Sequence, residues 1–242
     1  MTAAAGATTS ALEKFRLSAS KLLPHDTLKT TSPPAPLVSG EGPTIIVASL
    51  MRSGTHLVLD SLFNNFPQLR RSPLFVDFDA YERAALPVEP LGRLQGVVIK
   101  THYPETLLAP DYASALSTLA SKAVVLMPRR TTDEVRRSLQ KWGMDFSPAE
   151  FAEVEESFRR FWAPFSPYTI QFRSLLRAEN LKATLDNVAN LTGLEWKGKV
   201  PVMPATSRVG IYLDKFLTRL SGCRAPRINT TIGYRLAPKQ PS

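Results

Sequence analysis

A three-layer α/β/α domain with a central, mainly parallel sheet is the fold class this sequence predicts. From Thr44 onward, short apolar, β-branched runs alternate with longer stretches that carry apolar residues at helical spacing. The alternation repeats at least four times, which is the pattern of strands joined by crossover helices. Length agrees, because 242 residues at 43% hydrophobic composition supply one sizeable core.

The elements follow in order. Residues 1–40 are rich in Ala, Ser, Thr and Pro, hold Glu13 and Asp26 as their acids, and end near the stiff connector Ser32-Pro33-Pro34-Ala35-Pro36. They read as an arm, with Leu12, Phe15, Ala19 and Leu22 spaced for a short docked helix; an organellar targeting peptide is the second reading. Residues 41–242 then form the expected catalytic domain. Strands are expected at Thr44 to Ala48, Val97 to Lys100, Ala123 to Met127 and Tyr168 to Phe172. Helices are expected at Thr55 to Phe66, Asp111 to Leu119, Asp133 to Trp142, Pro148 to Trp162 and Asn180 to Leu191.

Composition removes several classes of protein. The single cysteine, Cys223, cannot form an internal disulfide, and no apolar stretch reaches the length of a membrane span. A cytoplasmic location is expected. The net charge of +9 is unevenly placed, because residues 196–242 hold 9 basic side chains and one acidic one, leaving the rest nearly balanced. That distribution argues against a nucleic-acid binder with charge spread over its fold, and for a local anionic partner of the basic C-terminal segment, residues 197–242.

Ligands of open parallel sheets bind beyond the carboxyl ends of the strands, so chemistry is sought just after each apolar run. After the first run come Arg52, Ser53, Gly54, Thr55 and His56, leading into a helix. A tight loop before a helix N-terminus offers backbone N–H groups to an anion; Gly54 permits close approach, and Ser53 and Thr55 add hydroxyls. The nucleotide-triphosphatase loop pattern is absent, since no Gly-Lys-Ser/Thr follows. After the second run stand Lys100, Thr101, His102 and Pro104: a cation and an imidazole able to accept a proton near neutrality, expected to project to one side. After the third run, Arg130 precedes a helix that carries Ser138, a pair able to grip a second phosphate.

Taken together, these three loops resemble the sulfotransferase family that uses adenosine 3′-phosphate 5′-phosphosulfate (PAPS). Arg52-Ser53-Gly54-Thr55 is similar to that family's 5′-phosphosulfate loop, Arg130 and Ser138 to its 3′-phosphate pair, and Lys100-Thr101-His102-Tyr103-Pro104 to its catalytic segment. The stretch from Tyr168 to Leu194 resembles its last core strand and following helix. The resemblance covers about Thr44 to Trp196 and implies the P-loop-like sulfotransferase fold. It also implies sulfuryl transfer from PAPS, without a metal, to a hydroxyl or amine of a small acceptor, leaving adenosine 3′,5′-bisphosphate. In that reading His102 is the general base, Lys100 and Arg52 are catalytic cations, and Arg52, Ser53, Gly54, Thr55, His56, Arg130 and Ser138 hold the donor. Arg208, in Arg208-Val209-Gly210, faintly echoes the family's C-terminal Arg-Lys-Gly element.

Several positions depart from the family pattern. Arginine stands at 52 where lysine is usual, His56 replaces a hydroxyl residue, and Gln171-Phe172-Arg173 replaces an aromatic-acidic pair. Family analogy places an acceptor-facing surface within Leu69 to Arg93. Two further readings stay open: a P-loop small-molecule kinase, and a non-catalytic module that docks on an anionic membrane or polymer through residues 206–230. In the last, Val209, Tyr212, Leu213, Phe216, Leu217 and Leu220 form an apolar helical stripe, for which burial in the core is the commoner outcome.

Overall fold

The computed structural model describes residues 27–28, 42–71, 74–106, 108–196, 198–207, 209–210, 212–213, 216 and 227–232. Its centre is a parallel sheet of β1 (Thr27–Leu28), β2 (Ile45–Ala48), β3 (Phe75–Asp77), β4 (Val98–Thr101), β5 (Val124–Arg129) and β6 (Tyr168–Gln171), in the order β1-β3-β4-β2-β5-β6. The helices are α1 (Thr55–Asn65), α2 (Phe78–Arg83), α3 (Pro110–Ala120), α4 (Thr132–Gln140), α5 (Pro148–Trp162) and α6 (Ala178–Thr192).

Both faces of the sheet are covered, which is why its strands read as continuous apolar runs. In β2, Ile45 and Val47 join Val58, Leu59, Leu62 and Phe63 of α1 and Leu181, Leu185 and Val188 of α6. Ile46 and Ala48 point the other way, toward Tyr81 of α2, Leu116 and Leu119 of α3, and Phe158 and Trp162 of α5. The alternation of neighbouring residues between two cores makes the three layers. Local chemistry fixes the element ends. Ser147 and Glu150 form a reciprocal capping box at the start of α5, and α6 stops at Gly193 with φ 68°.

One pair of elements departs from the sequence reading. Expected as an acceptor-facing surface, the stretch after Leu69 contains β3 and α2, and Leu74, Phe75, Val76, Phe78 and Tyr81 are core residues. A three-residue strand is too short to show a period, so its burial had no local signature.

Candidate functional site

Central β2 has β4 on one side and β5 on the other, so the loops leaving these three strands meet at one edge of the sheet. The loop after β2 is shaped by two left-handed residues, Arg52 at φ 67° and Gly54 at φ 116°. The conformation costs an arginine about 1–2 kcal/mol, a strain concentrated at functional sites more than elsewhere. Gly54 is required twice over: its φ suits glycine, and a Cβ there would lie 2.7 Å from Cδ2 of Phe172. Gly54, rather than Ser53, is the N-cap of α1; Ser53 turns back, its Oγ donating to Leu50 O at 2.7 Å. No side chain caps α1 and its first turn holds no acid, a helix start suited to an external anion.

Hydrogen bonds join this loop to the other two. His102 Nδ1 lies 2.6 Å from Ser49 O. A carbonyl only accepts, so Nδ1 carries the proton and Nε2 keeps the lone pair a general base needs. Burial, followed by the charge of Lys100, pushes the imidazole below its usual value, against the opposing charge of Asp79. His102 is therefore neutral at pH 7. Its backbone N–H donates to Asp79 Oδ2 at 2.9 Å while Thr101 Oγ1 donates to Asp79 Oδ1 at 2.8 Å, so this buried carboxylate fixes the end of β4.

Lys100, whose charge acts on His102, is itself paired. It pairs with Asp77 Oδ2 across the β3–β4 register at 3.0 Å, with both side chains 9% exposed. Its charge is thus matched by a carboxylate, whereas the sequence reading held it available for a transferring group. Asp77 and Asp79 lie in the short elements that carried no local signature, and they were missed for that reason.

On the other flank, Arg52 Nε donates to Ser138 Oγ at 3.0 Å, and Arg130 Nη1 donates to Arg52 O at 3.3 Å. Each guanidinium lies over an aromatic ring, Arg52 at 4.2 Å from the centre of Trp142 and Arg130 at 4.4 Å from that of Phe172. Glu134 holds Arg130 Nε at 3.7 Å and Arg173 at 3.3 Å, and its bond from Thr131, then these cations, keep its carboxyl below the ordinary range. Arg130 and Ser138, with Arg52 from about 80 residues earlier in the chain, thus form one cationic cluster beside the loop. The Arg52 side chain faces Ser138, so it groups with the expected second-phosphate residues and not with His102.

His56, in the first turn of α1, has Nδ1 2.9 Å from Thr230 Oγ1. Thr230 donates through both N–H and Oγ1 to Asp60 Oδ1, at 2.7 and 2.8 Å, and Asn229 Nδ2 donates to Asp60 Oδ2 at 3.1 Å. The C-terminal stretch is therefore tied to the loop's own helix by a buried carboxylate, a link no local pattern announces. Arg208 lies outside the described residues. A cleft of about 410 Å³ is lined by Pro104, Glu105, Phe146, Glu150, Glu153, Val154 and Ser157.

No protein-family model matches the chain, and no curated protein matches it. Among solved structures, a shikimate kinase from Bacteroides thetaiotaomicron aligns with a TM-score of 0.39 and 16% identity, over 62% of this chain and 97% of that one. A likeness of that size carries nothing about activity. Among the described residues, no helix is long and apolar enough to cross a membrane.

Proposed function

We propose that the chain transfers a sulfuryl group from PAPS to a hydroxyl or amine acceptor. The observation that carries the reading is the junction of three loops: Ser49 O on His102 Nδ1 and Ser138 Oγ on Arg52 Nε put an uncapped helix start between a free imidazole nitrogen and a cationic cluster. A donor with two separated anionic groups suits this layout, one group at the loop and first turn of α1, the other at Arg52, Arg130 and Ser138.

In this mechanism His102 Nε2 takes the acceptor's proton as its oxygen or nitrogen attacks sulfur, and the bond from sulfur to the bridging oxygen breaks. Charge left on the 5′-phosphate is met by the N–H groups of residues 54–56 at the uncapped start of α1. Lys100, held by Asp77, orients the end of β4 and contributes its field. A cation 4 Å from the developing charge is worth about 4 kcal/mol at an effective dielectric near 20, before desolvation.

Phosphoryl transfer by a small-molecule kinase is the second reading, favoured by a loop at the switch point of a parallel sheet, which suits phosphorylated nucleotides in general. It lacks the lysine that P-loop kinases place after the loop glycine, since Thr55 follows Gly54. Incubating the chain with ³⁵S-labelled PAPS, or with ³²P-labelled ATP and magnesium, against a panel of phenols, alcohols and amines decides between them. Label transfer from PAPS alone supports the proposal; transfer from ATP alone replaces it.

A further inference from the structure

The sequence left the apolar stripe of the C-terminal segment between two readings, and burial in the core was the commoner outcome. Three of the stripe's residues are exposed in the structure, Tyr212 is half-buried, and Leu217 and Leu220 lie outside the described residues. Val209 is 79% exposed, Leu213 53% and Phe216 59%. All three residues are helical, Ser207 Oγ accepts the N–H of Gly210 at 3.0 Å as a cap would, and the spacing of four and three residues puts them on one helix face. Of the eight large apolar side chains exposed among the described residues, five lie in this block: Val200, Val202, Val209, Leu213 and Phe216. Scattered single exposures are ordinary, whereas a concentration in one segment marks a contact surface.

Two neighbouring asparagines at the end of α1 pin the segment at both ends. Asn65 Oδ1 accepts from Val202 N at 2.8 Å and Asn65 Nδ2 donates to Val202 O at 3.0 Å; Asn64 Oδ1 accepts from Ile228 N at 2.7 Å and Asn64 Nδ2 donates to Ile228 O at 2.8 Å. The second hydrogen on each Nδ2 goes to a carbonyl inside α1, at Ser61 and Asp60, so both amides are satisfied. Residues 203–227 thus lie in the chain between two anchors on one helix end, with Pro204 and Ala205 buried. Their sequence holds Arg208, Lys215, Arg219, Arg224 and Arg227 against the single acid Asp214.

We propose that this pinned segment is a membrane-surface contact, which seats Val209, Leu213 and Phe216 among the acyl chains of an anionic leaflet while its lysines and arginines meet the lipid phosphates and carboxylates. The charge complementarity selects this occupant. Lysine is depleted from the centres of protein interfaces, while exposed apolar residues in a stretch rich in lysine and arginine are the composition of helices that lie in the plane of a charged membrane. The inference is independent of the proposed sulfuryl transfer.

The test is co-sedimentation of the full chain with vesicles of phosphatidylcholine alone and with about 30% phosphatidylserine. Expected is a bound fraction at least ~10-fold higher on the anionic vesicles, lost by at least ~10-fold in the variant Leu213→Asp/Phe216→Asp. A second variant, Phe216→Trp, reads the contact without disrupting it: its fluorescence should shift to the blue on anionic vesicles and not on neutral ones. Equal binding to both vesicle types, no binding at all, or binding unchanged in the double aspartate variant would each overturn the proposal. Concentration-dependent self-association that the double variant abolishes, with no vesicle binding, would also overturn it and assign the face to a second copy of the chain.

Discussion

Replacing Glu105 by glutamine changes stability in a way that follows directly from the loop geometry. Glu105 Oε2 accepts the N–H of Met51, while Oε1 is buried with no hydrogen-bond partner. Burial pushes the carboxyl from its ordinary 4.5 up to about 7, aided by Asp79 and opposed by the Met51 bond. The folded protein therefore binds this proton more tightly than the unfolded chain does. The associated stability is fully present below pH 4.5 and is lost as pH rises through about 7. A shift of that size corresponds to about 3 kcal/mol in full, most of which falls between pH 5 and pH 8. Glutamine keeps an oxygen for Met51 and has no charge to lose. Urea unfolding of both proteins at pH 5 and pH 8 should show the native chain losing about 2–3 kcal/mol more than the variant across that interval, with equal urea slopes. Parallel changes in the two proteins would refute the reasoning and leave Glu105 as an ordinary solvated carboxylate.

The other predictions concern the three loops. His102→Ala should lower turnover by at least ~100-fold with donor affinity little changed, as removal of a general base does; near-native turnover with labelled PAPS removes the imidazole from the mechanism. Arg130→Ala should weaken adenosine 3′,5′-bisphosphate by about 10- to 100-fold in calorimetric titration, and Ser138→Ala by less, since charged hydrogen bonds carry more than neutral ones. Unchanged affinity in both would separate the cationic cluster from the donor. Gly54→Ala should cost about 2 kcal/mol or more in a thermal melt, because it combines a left-handed φ with the 2.7 Å approach to Phe172. Adding Phe172→Leu should recover only the contact part, and full recovery would show that the backbone angle is tolerated.

What the sequence made legible is what lies in one continuous stretch. Ile45 to Ala48, Gly54 and the apolar face of α1 are adjacent along the chain, so strand, loop and helix declare themselves through periodicity and one glycine. Arg130 and Ser138 are also neighbours, and their contact with Arg52 was foreseeable from parallel strands ending at one edge. Asp77 and Asp79 were not, because β3 has three residues and its partners are 23 and 22 positions away. The bonds from Thr230 to Asp60 span 170 residues and depend on tertiary packing, for which sequence offers no local signal. Glu105 was passed over because burial, not residue type, makes it unusual. The apolar stripe was spaced as a core helix would be, and spacing cannot tell a face that finds a partner within the fold from one left outside it.

The most direct measurement is a thermal melt of the native chain with adenosine 3′,5′-bisphosphate, ADP, or ATP with magnesium. A ligand that binds only the folded state at 100 times its dissociation constant adds about 2.7 kcal/mol, or roughly 5–10 °C for a chain of this length. The proposed donor site predicts that rise for the bisphosphate at concentrations where ADP and ATP have little effect. A larger rise with ATP and magnesium would contradict it, because the cluster of Arg52, Arg130 and Ser138 would then not be reading a second, separate phosphate.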